Sequence, residues 1–329
     1  MAIVRPENMN FTGKKFSMII SGSPGVGKTT LALSAPNPVL IDFDDGVSRV
    51  RAQHRAPTIV CRSYGEVLED LKSPEMKDFD TIVIDTGGSL VTFIGIWARE
   101  QSPGNGNRAG GMSPQGWGAI KNEFLRLTNM LKYELKKNII YIFHTREDKD
   151  KDVTKQRLVC EGSAKEIVWQ PCDIGCFLYM HGDKRVAGFT PTEEYFAKGT
   201  HGVSGLMDVP ALGADDKNDF ISNLFVKMKE VVAEENKVFE ADKAVYEKAM
   251  EAGRALVAEF VDVATANAFT KKLKAIEHAL TSQKEIGAMA KKRIAELKLV
   301  WNKKTKAWEA EEIKQEVEQN VPDNANSAE

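Results

Sequence analysis

Cysteine is scarce in this chain, with four residues in 329 and no C-x-x-C pair. These four, Cys61, Cys160, Cys172 and Cys176, therefore indicate neither a disulfide framework nor a zinc knuckle. No uninterrupted apolar run approaches the roughly 20 residues that cross a bilayer, and the start "MAIVRPEN" lacks a signal-peptide pattern. We therefore expect a cytoplasmic protein with reduced cysteines and no membrane contact.

An excess of charge is also missing, because 45 Lys and Arg residues nearly balance 47 Asp and Glu residues. A formal net charge of -2 provides no overall attraction to nucleic acid, so any such contact needs a local basic patch. The 42% hydrophobic content is typical of a globular protein, and the length suits a large domain with an appendage, or two domains.

Short apolar runs alternate with helical patterns over the first two-thirds of the chain. Candidate strands are 16–20, 38–43, 81–85, 138–143 and 173–180, followed by a hairpin near 184–191. Strands that are apolar throughout and separated by helices predict an α/β fold with a mostly parallel sheet and helices on both faces.

Composition divides the chain further. The Gly-rich segment 99–118 predicts a mobile loop, and from about Lys217 onward Gly and Pro become scarce while Ala, Glu and Lys take over. We expect an α/β domain at 1–216, a helical C-terminal region at 217–310, and an acidic, disordered tail at 311–329.

One motif identifies a nucleotide site. The residues of "GSPGVGKT" match G-x-x-x-x-G-K-[ST] between an apolar strand and a helical segment. Glycines let backbone N–H groups point at phosphate, the lysine places a cation on the β- and γ-phosphates, and the threonine hydroxyl can bind Mg²⁺. The predicted nucleotide-binding residues are Gly22, Ser23, Pro24, Gly25, Val26, Gly27, Lys28, Thr29 and Thr30.

A P-loop also needs an acid on a neighbouring strand to hold the Mg²⁺ shell, and Asp85 follows the apolar run "TIVI". Thr29 and Asp85 are thus the predicted metal-site residues. "DTGG" also fits the D-x-x-G of GTPases, but the later strand "NIIYIF" is followed by "HTRE" rather than N-K-x-D. ATP is therefore the expected nucleotide.

The stretch "VLIDFDDG" places three acids after a strand, and in isolation they fit metal ligands, a base or a turn. With the P-loop before it, the stretch resembles the RecA-like ATPases, in which an I-D-x-[ED] strand end carries the acid that activates the attacking water. The resemblance implies Asp44 as this base, with Asp42 in support. Asp is shorter than the commoner Glu, so either the loop lies closer to the nucleotide or hydrolysis is slow.

The resemblance continues at "YIFHTRED", where RecA-like proteins carry a polar residue that senses the γ-phosphate. It implies that His144 is the sensor and that 145–166 is a ligand-facing loop. The order of these elements, with "GWGAIKNEF" and "FAKGTHGVSGL", also resembles the phage-encoded, core-only RecA-like proteins of single-strand annealing and recombination. That resemblance covers about 60% of the chain and implies a RecA-like P-loop NTPase fold.

The resemblance further implies ATP and Mg²⁺ as cofactors and single-stranded DNA as a partner. It also implies a homo-oligomer with ATP between subunits, and we expect a single-strand-binding or other replication protein as a second partner. Lys198 or Arg185 would reach a neighbouring subunit's ATP. Candidate DNA contacts are Arg99, Arg108, Trp117, Arg146, Lys149, Lys151, Lys155 and Arg157.

Alternatives remain open from the sequence. The lysine-rich segment 271–306, with Trp301 and Trp308 nearby, fits a helical hairpin with solvated lysines or a second DNA contact. The whole chain fits an ATPase switch, such as a helicase loader or packaging accessory, or a nucleotide or small-molecule kinase. A kinase would need a lid with several arginines, whereas 99–118 holds only Arg99 and Arg108.

Overall fold

The structure of the protein is a computed structural model that describes residues 13–150, 153–160, 167–213 and 215–310. The chain forms two compact units. The sheet unit lies within Asn10–Glu234, and the C-terminal unit starts at Glu235. The division of function between 1–216 and 217–310 stays a prediction, and the tail 311–329 lies outside the described residues.

Nine strands form the sheet of the sheet unit. They are β1 (Ser17–Gly22), β2 (Pro38–Asp42), β3 (Thr58–Val60), β4 (Thr81–Asp85), β5 (Asn138–Asp150), β6 (Val153–Leu158), β7 (Ile174–His181), β8 (Lys184–Gly188) and β9 (Leu206–Val209). Their order is β3-β2-β4-β5-β1-β7-β8-β9, with β6 paired to β5. All neighbours from β3 to β7 are parallel, whereas β8 and β9 add antiparallel pairs. The predicted mostly parallel sheet is confirmed.

Helices cover both faces of this sheet. The sheet unit contains α1 (Lys28–Ala32), α2 (Tyr64–Asp70), α3 (Gly87–Gln101) and α4 (Pro114–Asn129), and α5 (Phe220–Ala258) begins in it. The strands are buried on both sides, so their residues alternate between two apolar clusters: Ile20 and Ile140 belong to one, Ile19 and Ile139 to the other. The mostly apolar runs seen in the sequence follow from this double burial.

The Gly-rich segment 99–118 is more ordered than expected. α3 continues to Gln101, and α4 begins at Pro114, where the Ser113 hydroxyl caps the helix by accepting from the Gly116 N–H at 3.0 Å. Proline suits a first helical position because its missing N–H has no intrahelical partner there. The connection between the two helices is therefore shorter than the composition indicated.

The predicted ligand-facing loop 145–166 is a hairpin over much of its described part. β5 runs on past its buried half to Asp150, and β6 returns antiparallel to it from Val153. Residues 151–152 and 161–166, which include the candidate Lys151, lie outside the described residues. These strands could not be predicted from the sequence, because their side chains are charged on both faces and show no alternation of apolar and polar residues.

The C-terminal unit is mostly helical, but a two-stranded hairpin follows its helices. α6 (Val263–Lys274) and α7 (Ser282–Glu296) follow α5, then β10 (Leu299–Asn302) pairs with β11 (Ala307–Ala310). Phe260, Phe269 and Ile286 form the centre of its core. The helical hairpin expected for 271–306 is thus wrong at its end, because Trp301 and Trp308 pair across strands.

Gly87 and Gly88 explain the "DTGG" segment by packing. A Cβ at Gly87 would lie 2.3 Å from a Phe143 ring carbon, and one at Gly88 would lie 2.6 Å from the Val159 carbonyl oxygen. Real Cβ contacts are not that short, so α3 can approach Phe143 of β5 and the chain after β6 only with glycine at these positions. The similarity to the D-x-x-G of GTPases therefore has a structural cause.

We predict that Gly87→Ala destabilises the sheet unit by about 1–3 kcal/mol, because overpacking moves α3 away from Phe143. Gly118→Ala is the matched control, since Gly118 lies in α4 with no atom within 4 Å of an added Cβ. That change should stabilise by about 0.5–1 kcal/mol through helix propensity. Urea unfolding measures both, and equal effects of the two substitutions would contradict the packing argument.

Candidate nucleotide site and strand-end groove

The loop between β1 and α1 has the backbone of a phosphate-binding loop. Gly25 and Gly27 adopt φ of 79° and 94°, in the left-handed region that favours glycine. Gly22 faces a different restriction, because a Cβ there would lie 2.3 Å from the Leu178 carbonyl oxygen. Residues 22–30, the predicted nucleotide-binding set, therefore form one continuous turn into α1.

Lys28 is the buried cation of this loop. The residue is only 4% exposed. Its Nζ donates to the Ser23 carbonyl oxygen at 2.8 Å and lies 3.1 Å from His144 Nδ1. Burial lowers the pKa of Lys28 to about 8, although the Asp85 carboxylate opposes the shift. An incoming anion strongly favours the charged form of a desolvated ammonium group of this kind.

Thr29 and Asp85, the predicted metal-site residues, are in direct contact. Thr29 Oγ1 donates to Asp85 Oδ2 at 2.6 Å. Burial raises the pKa of the Asp85 carboxyl, while the Thr29 hydrogen bond opposes the rise. A hydroxyl and a carboxylate are hard oxygen ligands that suit Mg²⁺, which in P-loop sites keeps waters and phosphate oxygens as its other ligands.

No group of three or more His, Cys, Asp or Glu side chains within the described ranges has the arrangement of a metal site. The Thr29–Asp85 pair fits Mg²⁺ because such a site takes only part of its ligands from the protein.

Strand order brings the other candidates to the same edge. β5 lies between β1 and β4, and the register pairs Gly22 with His144 and Asp42 with Asp85. The carboxyl ends of these parallel strands meet beside the P-loop, which is where open α/β sheets bind their ligands.

Asp44 lies in the bend after β2 and is held by two hydroxyl groups from the start of α3. Ser89 Oγ donates a short hydrogen bond to Asp44 Oδ1, and Thr86 Oγ1 lies 3.4 Å from Oδ2. Thr86 is itself the α3 N-cap, accepting from the Ser89 N–H at 3.2 Å. The carboxylate is thus fixed in place although its side chain remains 26% exposed.

His144 lies between Lys28 and Asp44. Because the Lys28 ammonium can only donate to Nδ1, the neutral ring must carry its proton on Nε2, which lies 3.9 Å from Asp44 Oδ2. Burial lowers the pKa of His144, and the nearby Lys28 charge lowers it further, while Asp44 opposes the shift. A neutral imidazole is therefore placed between the P-loop cation and the carboxylate.

Asp42 has a different position from the one expected. β2 ends at Asp42, and its buried carboxylate accepts backbone N–H bonds from Asp44, Gly46 and Val47 at 3.1, 2.9 and 2.8 Å. It shapes the bend that presents Asp44, as short acidic side chains commonly do in turns. The expected supporting contact with the nucleotide is thus replaced by a role in the loop backbone.

A cavity of about 1100 Å³, here called the strand-end groove, opens from Asp44 and His144. Arg146 and Arg157 line it from β5 and β6, where they pair directly across the strands and are both exposed. Two like charges directly opposite each other are destabilising, so this pair favours a bound anion.

Aromatic side chains line the same groove. Phe196 is 55% exposed and packs edge-to-face on Trp169 with ring centroids 4.5 Å apart. Phe177 stacks on Tyr195 with centroids 4.6 Å apart. Trp117, a candidate DNA contact from the sequence, also lines the groove but packs against the core beneath it.

Both residues predicted to reach a neighbouring subunit's ATP donate hydrogen bonds to backbone oxygens of their own chain. Arg185 Nε donates to the Val26 carbonyl oxygen of its own P-loop at 2.7 Å, beside a second cavity of about 270 Å³ that Gly27 and Thr30 also line. Lys198 Nζ donates to the Cys172 carbonyl oxygen at 2.6 Å. Arg185 therefore lies directly beside the P-loop of its own chain.

Ser89 and Thr86 were missed from the sequence. Their signal is the T-x-x-S spacing directly after Asp85, which places a cap and a third-position hydroxyl at the start of α3. The spacing predicts the cap, but not that both hydroxyl groups face Asp44.

Comparisons with known proteins cover most of the sheet unit. A family model described as an AAA domain matches residues 14–201. A search of curated proteins gives no match. Among solved structures, a KaiC-like protein of the hyperthermophilic archaeon Pyrococcus horikoshii OT3 aligns over 59% of this chain and 89% of its own, with 12% identity and a TM-score of 0.36.

Proposed function

The chain belongs to the AAA domain family of P-loop ATPases, and on that premise we propose that it uses ATP hydrolysis to act on single-stranded DNA held in the strand-end groove. The observation that carries the proposal is that the candidate catalytic residues and a pair of arginines line the same groove. Asp44 and His144 line it together with the paired Arg146 and Arg157.

ATP binds with its phosphates on the P-loop. Lys28 neutralises β- and γ-phosphate charge, and Thr29 with Asp85 would hold Mg²⁺, which offsets charge on the phosphate oxygens when bound. Arg185 and Thr30 border the 270 Å³ cavity beside the loop, which has room for the nucleoside. Asp44 accepts the proton of the attacking water, and Ser89 keeps the carboxylate in line with it.

β5 supplies the connection between hydrolysis and DNA. His144 and Arg146 are two residues apart on this strand, so their side chains lie on the same face. His144 contacts the P-loop lysine, and its carbonyl oxygen accepts the Val159 N–H at 2.8 Å where β6 ends. A change at the γ-phosphate that moves His144 therefore moves the strand that carries both arginines.

Single-stranded DNA is favoured over duplex because the groove combines guanidinium groups with aromatic side chains, of which Phe196 is 55% exposed. Unpaired bases can stack on Phe196 and Trp169 while phosphates contact Arg146 and Arg157, as in proteins that bind single strands without sequence preference. Such a ligand acts in annealing or recombination, the processes that the RecA-like resemblance implies.

Two partner predictions accompany this function. A homo-oligomer with ATP between subunits is tested by light scattering with and without ATP, and a single-strand-binding or other replication protein by co-sedimentation on DNA. Among the helices of the described residues, none combines the length and the apolar character that crossing a membrane requires.

The main test compares ATP turnover with no DNA, single-stranded DNA and duplex DNA at low salt. We predict stimulation by single strands, and loss of that stimulation in the double variant Arg146→Gln, Arg157→Gln with DNA-free turnover retained. The slope of log affinity against log salt should become shallower by about 1.4, since each phosphate contact contributes about 0.7.

The matched control removes two exposed arginines elsewhere, Arg62→Gln and Arg254→Gln, and should leave stimulation unchanged. A wild-type protein whose turnover ignores DNA and that does not bind it at low salt would exclude the DNA function. It would leave the ATPase switch, such as a loader or packaging accessory, or a kinase, and phosphate transfer to a small acceptor would identify the kinase.

A further inference from the structure

The end of the C-terminal unit carries a concentrated positive charge. Residues 263–310 contain eleven Lys and Arg residues against four Asp and Glu residues. Two of those cations are in ion pairs, Lys272 with Glu259 and Arg293 with Glu296. Most of the excess therefore remains exposed on one part of a chain whose net charge is close to zero.

The charge is densest on the hairpin of β10 and β11. Lys298 precedes β10, and the connection between the strands carries Lys303, Lys304 and Lys306. All four side chains are exposed, and no ion pair joins any of them to another described residue. We call residues 298–310 the basic hairpin.

The tip of the basic hairpin has a defined conformation. Asn302 Oδ1 accepts from the Lys304 N–H at 2.8 Å, and Asn302 Nδ2 donates to Glu309. Thr305 Oγ1 also donates to Glu309, so the one acid of the basic hairpin is already engaged within it. The lysines therefore extend from an ordered turn, which lowers the entropic cost of presenting them to a polyanion.

Two of these lysines occupy positions where glycine is easier. Lys298 and Lys306 both have a φ of 51°, in the left-handed region. Lys298 follows the C-terminus of α7, the usual place of a glycine cap, and Lys306 closes the hairpin turn. The chain therefore carries a lysine at both of these turns.

An exposed indole adjoins the lysines. Trp308 packs on the core of the C-terminal unit, and Asn267 of α6 bonds both its N–H and its carbonyl oxygen, at 2.7 and 3.0 Å. Trp301 contacts Trp308 edge-to-face, with centroids 5.2 Å apart, yet remains 45% exposed beside the tip. Trp308 thus supports the indole of Trp301 in an exposed position.

We propose that the basic hairpin is a second binding site for single-stranded DNA, independent of nucleotide. Lys303, Lys304 and Lys306 contact backbone phosphates, and Trp301 stacks on a base. Positive charge selects a polyanion, and an accessible aromatic ring beside it selects one with unpaired bases. The inference rests on the proposed function for the identity of the ligand, but it uses no residue of the strand-end groove.

The experiment measures binding of a fluorescent single strand by anisotropy, with the full chain and no nucleotide. The triple variant Lys303→Gln, Lys304→Gln, Lys306→Gln should bind more weakly, with a salt slope shallower by about 2, while keeping DNA-free ATP turnover. The matched control Lys243→Gln, Lys248→Gln, Arg254→Gln removes the same charge from α5 and should bind as wild type does.

A second pair of variants tests the indole. Trp301→Ala should weaken binding by about tenfold, the typical contribution of one stacked base, and Trp301→Phe should restore most of it. Restoration by Phe separates stacking from loss of the hairpin fold. Equal binding by Trp301→Ala and wild type would overturn the assignment of Trp301.

The results also separate this inference from the proposed function. If the hairpin triple binds as tightly as the α5 control while the groove variant loses DNA stimulation, the second site is excluded and the proposed function stands. If the hairpin triple loses nucleotide-free binding and the groove variant keeps it, the second site is supported whatever the outcome for stimulation. A wild-type chain that binds no single strand at low salt would overturn both.

Discussion

Lys28→Ala is expected to weaken ATP binding by about 100-fold. The substitution removes the only side-chain cation of the predicted phosphate loop, and a hydrogen bond to a charged group contributes up to about 3 kcal/mol, a factor of about 100. In the free protein the ammonium is buried, with a pKa lowered to about 8, so its charge is poorly solvated until phosphate arrives. The interaction is therefore largest in the nucleotide complex.

Calorimetric titration with ATP and Mg²⁺ measures the affinity directly. Thermal unfolding provides an independent reading, because ATP at 100 times the wild-type Kd should stabilise the wild type by about 2.7 kcal/mol and the variant by far less. Without ATP, Lys28→Ala should unfold at a temperature no lower than wild type, since burial of the charge is unfavourable.

Lys28→Met is the matched variant, because it keeps the length of the side chain and removes only the charge. It should bind ATP as poorly as Lys28→Ala does. Binding within about threefold of wild type in both variants would mean that the nucleotide binds elsewhere in the chain.

The P-loop could be predicted from the sequence because its chemistry is local. Residues 22–30 are contiguous, and the left-handed φ angle of Gly27 explains why the motif requires glycine before the lysine. The apolar strands were equally visible, since burial on both faces removes polar residues from them. Both features depend on neighbours in the chain rather than on tertiary contacts.

The partners of Asp44 could not be predicted in the same way. Ser89 lies 45 positions away, and the two side chains meet only because β2 lies beside β4 in the sheet. The position of Asp42 has a similar cause. β2 ends at this residue, and its carboxylate accepts hydrogen bonds from the backbone of the bend that follows. Tertiary contacts decide both outcomes.

The hairpin of β5 and β6 shows a different limit. Its exposed residues are charged on both faces, so neither the strand period nor a turn motif distinguishes them from a solvated loop. Only the register reveals that Arg146 faces Arg157. A candidate list of basic residues becomes a specific anion site when the pairing is known.

Asp44→Asn is expected to lower ATP turnover by a factor on the order of 10²–10⁴ while leaving ATP affinity within a few-fold of wild type. Asn has nearly the same shape as Asp, and its amide oxygen can still accept the Ser89 hydrogen bond. What it loses is the ability to take a proton from water. Single-turnover kinetics with saturating ATP measure the chemical step apart from binding.

The neighbouring acid provides the control for Asp44. Asp45 is exposed and has a φ of 53°, which Asn tolerates as well as Asp, so Asp45→Asn changes the same charge without changing the site. Its turnover should stay near that of wild type. Wild-type turnover in Asp44→Asn would instead remove Asp44 from the chemistry.

Ser89→Ala tests how much turnover depends on the position of the Asp44 carboxylate, whereas Asp44→Asn tests the effect of losing it. This variant keeps Asp44 but removes the hydroxyl that fixes Oδ1, so the side chain can rotate away from the line of attack. We expect a loss of roughly tenfold in turnover, with ATP affinity unchanged, because a misplaced group loses part of its effect and an absent one loses all. An order of turnover in which Ser89→Ala lies between wild type and Asp44→Asn would identify Asp44 as a base that depends on α3, and would explain how the shorter Asp serves where Glu is commoner.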